Sequence, residues 1–96
     1  MATIKTTETF DDWFAGLRDQ RAKARINVRI KRLSQGNAGD HRNLTKGVTE
    51  LKIDYGPGYR VYYVTRAGIT YILLCGGDKD SQQADIATAL AMAGDV

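Results

Sequence analysis

The run from Val48 to Val64 narrows the fold more than any other part of the chain. Leu51, Ile53 and Tyr55 alternate with Glu50, Lys52 and Asp54, the period-two pattern of a half-buried strand over residues 48–55. Residues 59–65 are β-branched and aromatic, which suits a second strand. Between them Gly56-Pro57-Gly58 forms a turn, because proline pre-sets its own φ and glycine tolerates positive φ. The two runs therefore make a hairpin. Its register decides which side chains share a face, since a slip of one residue exchanges the faces. A two-residue loop at Pro57-Gly58 would set Tyr55 opposite Arg60 and mix apolar with charged groups. A three-residue loop sets Tyr55 opposite Tyr59, Ile53 opposite Val61 and Leu51 opposite Tyr63, one consistent apolar face. The other face then pairs Asp54 with Arg60, Lys52 with Tyr62 and Glu50 with Val64. This second register is the expected one.

The rest of the chain supplies the layers around the hairpin. Residues 3–7 suit a short edge strand. Thr9 can cap a helix in which Phe10, Trp13, Phe14 and Leu17 recur on one face, and Gly16 weakens its end. A second helix is expected over residues 19–35, with Ala22, Ile26, Ile30 and Leu33 as its apolar stripe. One residue back runs a parallel stripe of Arg21, Arg25, Arg29 and Arg32, flanking the buried face because neighbours lie about 100° apart on a helix. Gly36 suits the left-handed residue that ends a helix, and residues 36–40 read as loop. Arg66-Ala67-Gly68 is a second turn, and residues 69–75 are apolar enough for a central strand. Gly76-Gly77-Asp78-Lys79 ends the sheet. The glycine pair reads as a strand-to-helix turn or as a close approach to a phosphate. Residues 81–93 form an alanine-rich helix with Ile86 and Leu90 inward. The order is β-α-α-β-β-β-α, an α+β fold with a mostly antiparallel sheet packed against two N-terminal helices and a C-terminal helix. At 96 residues, one domain over residues 1–96 is expected, with about two layers and little room for a deep cofactor cavity.

Several function classes drop out. No apolar run approaches the roughly 20 residues that span a bilayer, and no signal-peptide stretch opens the chain, so a cytoplasmic protein without membrane contact is expected. Cys75 and His41 are the only residues of their kinds, which excludes an internal disulfide and makes a catalytic metal site a poor fit. No metal and no cofactor are expected. The net charge of +3 is uneven: seven cations and one anion, Asp19, lie between Arg18 and Arg32, while the segment after Lys79 carries Asp80, Asp85 and Asp95 and no cation. A basic side of this kind suits a polyanion, and equally a solvated helix face.

The polar face of the hairpin is where chemistry could occur. RNA cleavage without a metal needs a group to deprotonate the ribose 2′-hydroxyl, cations for the charge that grows on the phosphate, and a donor for the leaving oxygen. Arg60 suits the phosphate, because its planar fork matches phosphate oxygens. Lys52 could act as base if Arg60 lowers its pKa, or as a second electrostatic clamp. Tyr62 could stack on a base or donate a proton. The alternative is that Arg60 and Lys52 merely form cross-strand ion pairs with Asp54 and Glu50. His41, between Asp40 and Arg42, is either a solvated loop residue or an acid–base group. Cys75 reads as core, with no base nearby to activate it.

These words together resemble the RelE/ParE toxin superfamily, and within it the HigB-like addiction module killer branch. The matching stretches are Gly36-Asn37-Ala38-Gly39-Asp40, then Gly47 through Tyr63, then Leu73-Leu74-Cys75-Gly76-Gly77-Asp78-Lys79. The resemblance implies the toxin of a type II toxin–antitoxin system, a cytoplasmic endoribonuclease that cuts mRNA on the translating ribosome. It implies a helix-turn-helix antitoxin as partner, and operator DNA bound through the toxin–antitoxin complex. ParE relatives instead inhibit DNA gyrase without chemistry, which is the alternative function. The resemblance carries phosphate contact to Arg60, and basic site positions to Lys52 and Lys79. Several RNA-cleaving relatives end with a tyrosine or histidine at the site. Here nothing of that kind follows Lys79, which leaves His41, Asp54 and Tyr62 for proton transfer. The expected catalytic set is Arg60, Lys52, Lys79, Tyr62 and Asp54, and the expected RNA contacts are Arg21, Arg25, Arg29, Arg32 and His41.

Overall fold

A computed structural model describes residues 2–96. Strand β1 (Thr3–Thr6) is followed by helices α1 (Glu8–Ala15) and α2 (Gln20–Ser34), strands β2 (His41–Asn43), β3 (Val48–Ile53), β4 (Tyr59–Arg66) and β5 (Thr70–Gly77), and helix α3 (Gln82–Ala93). The strands form one sheet in the order β1-β5-β4-β3-β2, antiparallel except where β1 runs parallel to β5. The architecture is the expected α+β sheet with helices, with one strand more than the sequence suggests. β2 is short and fully exposed, so it carries no apolar alternation to betray it. It exists because Arg42 and its neighbours pair along the edge of β3.

The helices start where side chains satisfy their free N–H groups. Thr7, not Thr9, caps α1, accepting from the Phe10 N–H at 3.1 Å. Its hydroxyl also donates to the Leu74 carbonyl, which seats the helix on β5. Asp19 caps α2 through Arg21 and Ala22. Phe10, Ala22, Ile26 and Leu33 then pack with Leu51, Ile53, Tyr59, Val61, Tyr63 and Leu73 on one face of the sheet, with Trp13, Phe14 and Tyr55 at the margin. On the opposite face Ala89 and Ala93 of α3 pack with Val48, Tyr62, Val64, Leu74 and Cys75, while Ile86 and Leu90 lie at that cluster's edge. The sheet is therefore covered on both sides, three layers rather than about two.

The hairpin register corrects the expected one. Ile53 lies opposite Tyr59, Leu51 opposite Val61, Lys52 opposite Arg60 and Glu50 opposite Tyr62. The shift is by an even number of residues, so both faces keep their membership while every partner changes. Asp54 does not oppose Arg60; it lies in a longer loop. Tyr55 leaves the ladder because its hydroxyl donates to Asp19 at 3.2 Å and its ring lies under the Arg25 guanidinium, 4.7 Å from the centroid. The Gly76-Gly77 pair also has a packing cause. A Cβ on Gly76 would stand 2.3 Å from the Trp13 ring, and one on Gly77 would stand 1.7 Å from the Asp85 carboxylate. These glycines let helices approach β5 from both faces, and neither belongs to a phosphate loop.

Candidate functional site

At the end of the sheet where β3 turns into β4, Lys52, Arg60, Lys79, Asp40 and Asp54 line a pocket of about 320 Å³ beside the Gly56-Pro57-Gly58 loop. Register brings the cations together. Lys52 faces Arg60 across β3–β4, Arg60 faces Gly77 across β4–β5, and Lys79 follows two residues on. The loop closes over them: the Lys79 N–H donates to the Pro57 carbonyl at 3.4 Å. Gly58 has φ +80, and a Cβ there would already touch both Arg60 and Lys79 at 3.4 Å, so glycine is what lets the loop sit so near the cations.

Arg60 is aimed by its own loop. Its Nη1 donates to the Gly58 carbonyl at 3.0 Å and to the Tyr59 carbonyl at 3.1 Å. Its Nε is buried without a partner. Among the described residues the one ion pair within 4 Å is Arg42 with Glu50, at 3.3 Å. Arg60 and Lys52 thus face each other without carboxylate partners, and the cross-strand pairs with Asp54 and Glu50 do not form. Three cations and two carboxylates share the pocket. The balance is positive, which suits an anionic ligand.

Tyr62 is not brought to this pocket. It is fully buried, and its hydroxyl donates to Glu50 Oε2 at 3.0 Å. Gln82 of α3 donates to the same oxygen at 2.8 Å. Burial, reinforced by Glu50, holds the Tyr62 phenol far above the usual tyrosine range. A base cannot stack on it, and it is a poor source of protons. The cause is that α3 covers Glu50, Tyr62 and Cys75, and in the next row covers Gly77 alone, leaving Lys52 and Arg60 partly exposed. Cys75 is buried as core, and burial pushes its thiol up to about 12.

The flanking residues divide. His41 is exposed on edge strand β2, with Nδ1 donating to the Gly39 carbonyl at 2.7 Å, and it does not line the pocket. Arg21, Arg25 and Arg32 are exposed on α2. Arg25 and Arg32 border a shallow hollow of about 510 Å³ with Val28 and Ile53, which shares Asp54 with the cationic pocket. Arg29, from the same stripe, is turned inward instead and donates to the carbonyls of Lys52, Ala38 and Asp40. Asp40 was not a candidate from sequence. It ends a glycine-containing loop, and nothing local says that the loop returns to the hairpin's turn. Among the described residues, no three His, Cys, Asp or Glu side chains gather as a metal site would require. Among the same residues no helix is long and apolar enough to cross a membrane.

The profile of the family described as phage derived protein Gp49-like (DUF891) matches residues 12–92. An uncharacterised protein of Haemophilus influenzae is 54% identical over 90 residues, spanning 94% of this chain and 91% of its own. Among solved structures, the isolated E. coli RelE toxin superposes with a TM-score of 0.65 at 12% identity, over 91% of this chain and 98% of its own. A chain of the intact E. coli RelBE toxin–antitoxin complex superposes with a TM-score of 0.67 at 12% identity, over 81% of this chain and 96% of its own. At such identity the likeness is one of fold.

Proposed function

The chain belongs to the Gp49-like family, a RelE/ParE-type toxin family, and on that premise we propose that it is a HigB-like toxin that stops translation by cutting mRNA on the ribosome. One observation carries the reading: Lys52, Arg60 and Lys79 line a single pocket, and among the described residues no carboxylate lies within ion-pairing distance of any of them. Cations gathered and left unpaired favour a ligand that brings its own negative charge.

In this reading Arg60 and Lys52 hold the scissile phosphate, and the charge they supply grows in value as the pentavalent transition state forms. The 2′-oxygen of the preceding ribose attacks phosphorus, its proton passes to Asp54, and the bond to the 5′-oxygen breaks. Lys79 protonates that leaving oxygen. The products are a 2′,3′-cyclic phosphate and a 5′-hydroxyl, with no metal and no cofactor in the step. Arg21, Arg25 and Arg32, with His41 at the sheet edge, meet the backbone of the RNA that flanks the cut. The toxin acts in the cytoplasm. Its partner is a helix-turn-helix antitoxin, and together the two bind their operator DNA. The antitoxin in the RelBE structure supports the pairing.

The test is induction without antitoxin, followed by mapping of mRNA 5′ ends. New ends within translated frames are expected, and Arg60→Ala should abolish both the ends and the growth arrest while its circular dichroism stays native. Arrest with intact mRNA and altered supercoiling would instead point to DNA gyrase as the target. A fully toxic Arg60→Ala would sink the site assignment.

A further inference from the structure

Arg29 belongs by spacing to the basic stripe of α2, yet it is only partly exposed, whereas Arg21, Arg25 and Arg32 are exposed. Its guanidinium gathers three carbonyls: that of Lys52 at the end of β3, that of Ala38 at 3.0 Å and that of Asp40 at 2.9 Å. The Asp40 carbonyl also accepts from the Lys52 N–H at 2.9 Å. One side chain on α2 therefore ties together the loop before β2 and the end of strand β3. Three donors of a five-donor fork are committed, in a spread that a lysine ammonium cannot reproduce. The loop is shaped around it. Gly39 sits at φ +66, and a Cβ there would come within 3.0 Å of Arg29 Nη2. Arg29 itself does not line the cationic pocket, but Lys52 and Asp40 do.

We propose that Arg29 is a positioning residue of the RNA-cleaving site and not one of its RNA contacts, fixing the backbone from which Lys52 and Asp40 enter the pocket. The proposal rests on the function proposed above for that pocket, and it makes Asp40 a second placed carboxylate beside Asp54. Displacing a reacting group by about 1 Å can cost on the order of a hundredfold in rate, so the loss should fall on kcat.

Two measurements separate placement from contact. Purified protein is titrated with a short single-stranded RNA, 2′-O-methylated so that it is not cut, over a range of salt. Each lost phosphate contact flattens the slope of log K against log salt by about 0.7. Arg21→Gln should flatten it so, while Arg29→Gln leaves it unchanged. Cleavage on programmed ribosomes should lose at least about tenfold in kcat for both Arg29→Gln and Arg29→Lys, with KM held within about twofold. Gly39→Ala, which crowds the guanidinium without removing its charge, should reproduce that loss. Gly36→Ala should not, because it carries similar backbone strain at φ +87 but meets nothing within 4 Å. Amide exchange gives a readout that needs no activity: the Lys52 N–H should exchange at least about tenfold faster in Arg29→Gln than in Gly36→Ala. A flattened salt slope in Arg29→Gln that Arg29→Lys restores, or an unchanged Lys52 amide, would overturn the proposal. If wild-type protein cuts nothing while the Lys52 amide still responds, the cleavage reading fails and the positioning of Lys52 by Arg29 stands.

Discussion

Glu50 is fully buried, and three elements converge on its carboxylate: Tyr62 of β4 and Gln82 of α3 donate to Oε2, while Oε1 has no hydrogen bond and only the charge of Arg42 of β2 beside it, at 3.3 Å. Removing one partner from a buried charged cluster is strongly destabilising, because the remaining group keeps its desolvation cost. Arg42 is about half exposed and stays solvated, but Glu50→Ala leaves the buried Tyr62 hydroxyl without its acceptor and should lower stability by about 1–3 kcal/mol, as should Tyr62→Phe, both read from urea unfolding midpoints. Tyr62→Phe should nevertheless remain toxic at a temperature where it is folded, since the hydroxyl lies under α3 and outside the pocket. Loss of toxicity in a folded Tyr62→Phe would restore the catalytic role the sequence suggests. Side-chain parity correctly put Tyr62 on the face of Arg60. What parity could not reveal is that this face is half covered. The helix that seats on Glu50 through Gln82 reaches Gly77 in the row of Arg60 but not Arg60 or Lys52, and that boundary is a matter of tertiary packing. Lys52, Arg60 and Lys79 were legible because the family words carry them. Asp40 was not, because its place depends on Arg29 reaching across to a loop.

At the scale of elements, the strongest sequence signals were periodic, and they located α2, β3, β4 and β5 within a residue or two at most ends. β2 was invisible because an exposed three-residue edge strand has no apolar face to declare. The hairpin turn was misjudged because Tyr55, although apolar enough to extend β3, gains more from Asp19 and Arg25 at the start of α2. β4 and β5, where α3 covers them, carry a pH dependence. The Cys75 thiol, pushed up from 9.0 to about 12 by burial and by Asp85, stays protonated in the fold. The Tyr62 phenol is displaced in the same direction from 10.0. For acids whose folded values are raised, the contribution to stability is fully present below the unfolded value and is lost as pH rises toward the folded one. Stability from these groups should thus be level through neutrality and decline above pH 9.0, first through Cys75 and then through Tyr62. Thermal midpoints measured between about pH 8 and 11 check this, and Cys75→Ala should delay the onset. A midpoint unchanged across that range would mean that neither group is buried as described.

At the scale of the whole molecule, the cationic pocket and the exposed arginines of α2 lie on opposite faces of the sheet and meet at Asp54, around the end where β3 turns into β4. The segment after Lys79 is acidic and forms the other outer layer. The chain is therefore polarised in charge, and in the proposed function the basic flank attracts the RNA and guides it toward the pocket while the acidic flank does not compete for it. Such a field acts mainly on encounter, raising association rates by about 10–10³ at low salt. Arg25 is unsuited to testing this, because reversing its charge would also strip the cover from the Tyr55 ring and loosen the loop. Arg21 and Arg32 carry no such contact, so Arg21→Glu with Arg32→Glu is the cleaner probe. The double variant should associate with ribosomes at least about tenfold more slowly at low salt, and the difference should shrink as salt is raised toward 0.5 M, where the Debye length falls to roughly 4 Å. Once RNA is saturating, its kcat should be that of the wild type, because neither residue touches the pocket. If instead ribosome association is unaffected and the antitoxin no longer binds, the basic flank of α2 is a surface for an acidic partner, and the pocket must capture its RNA without a guide.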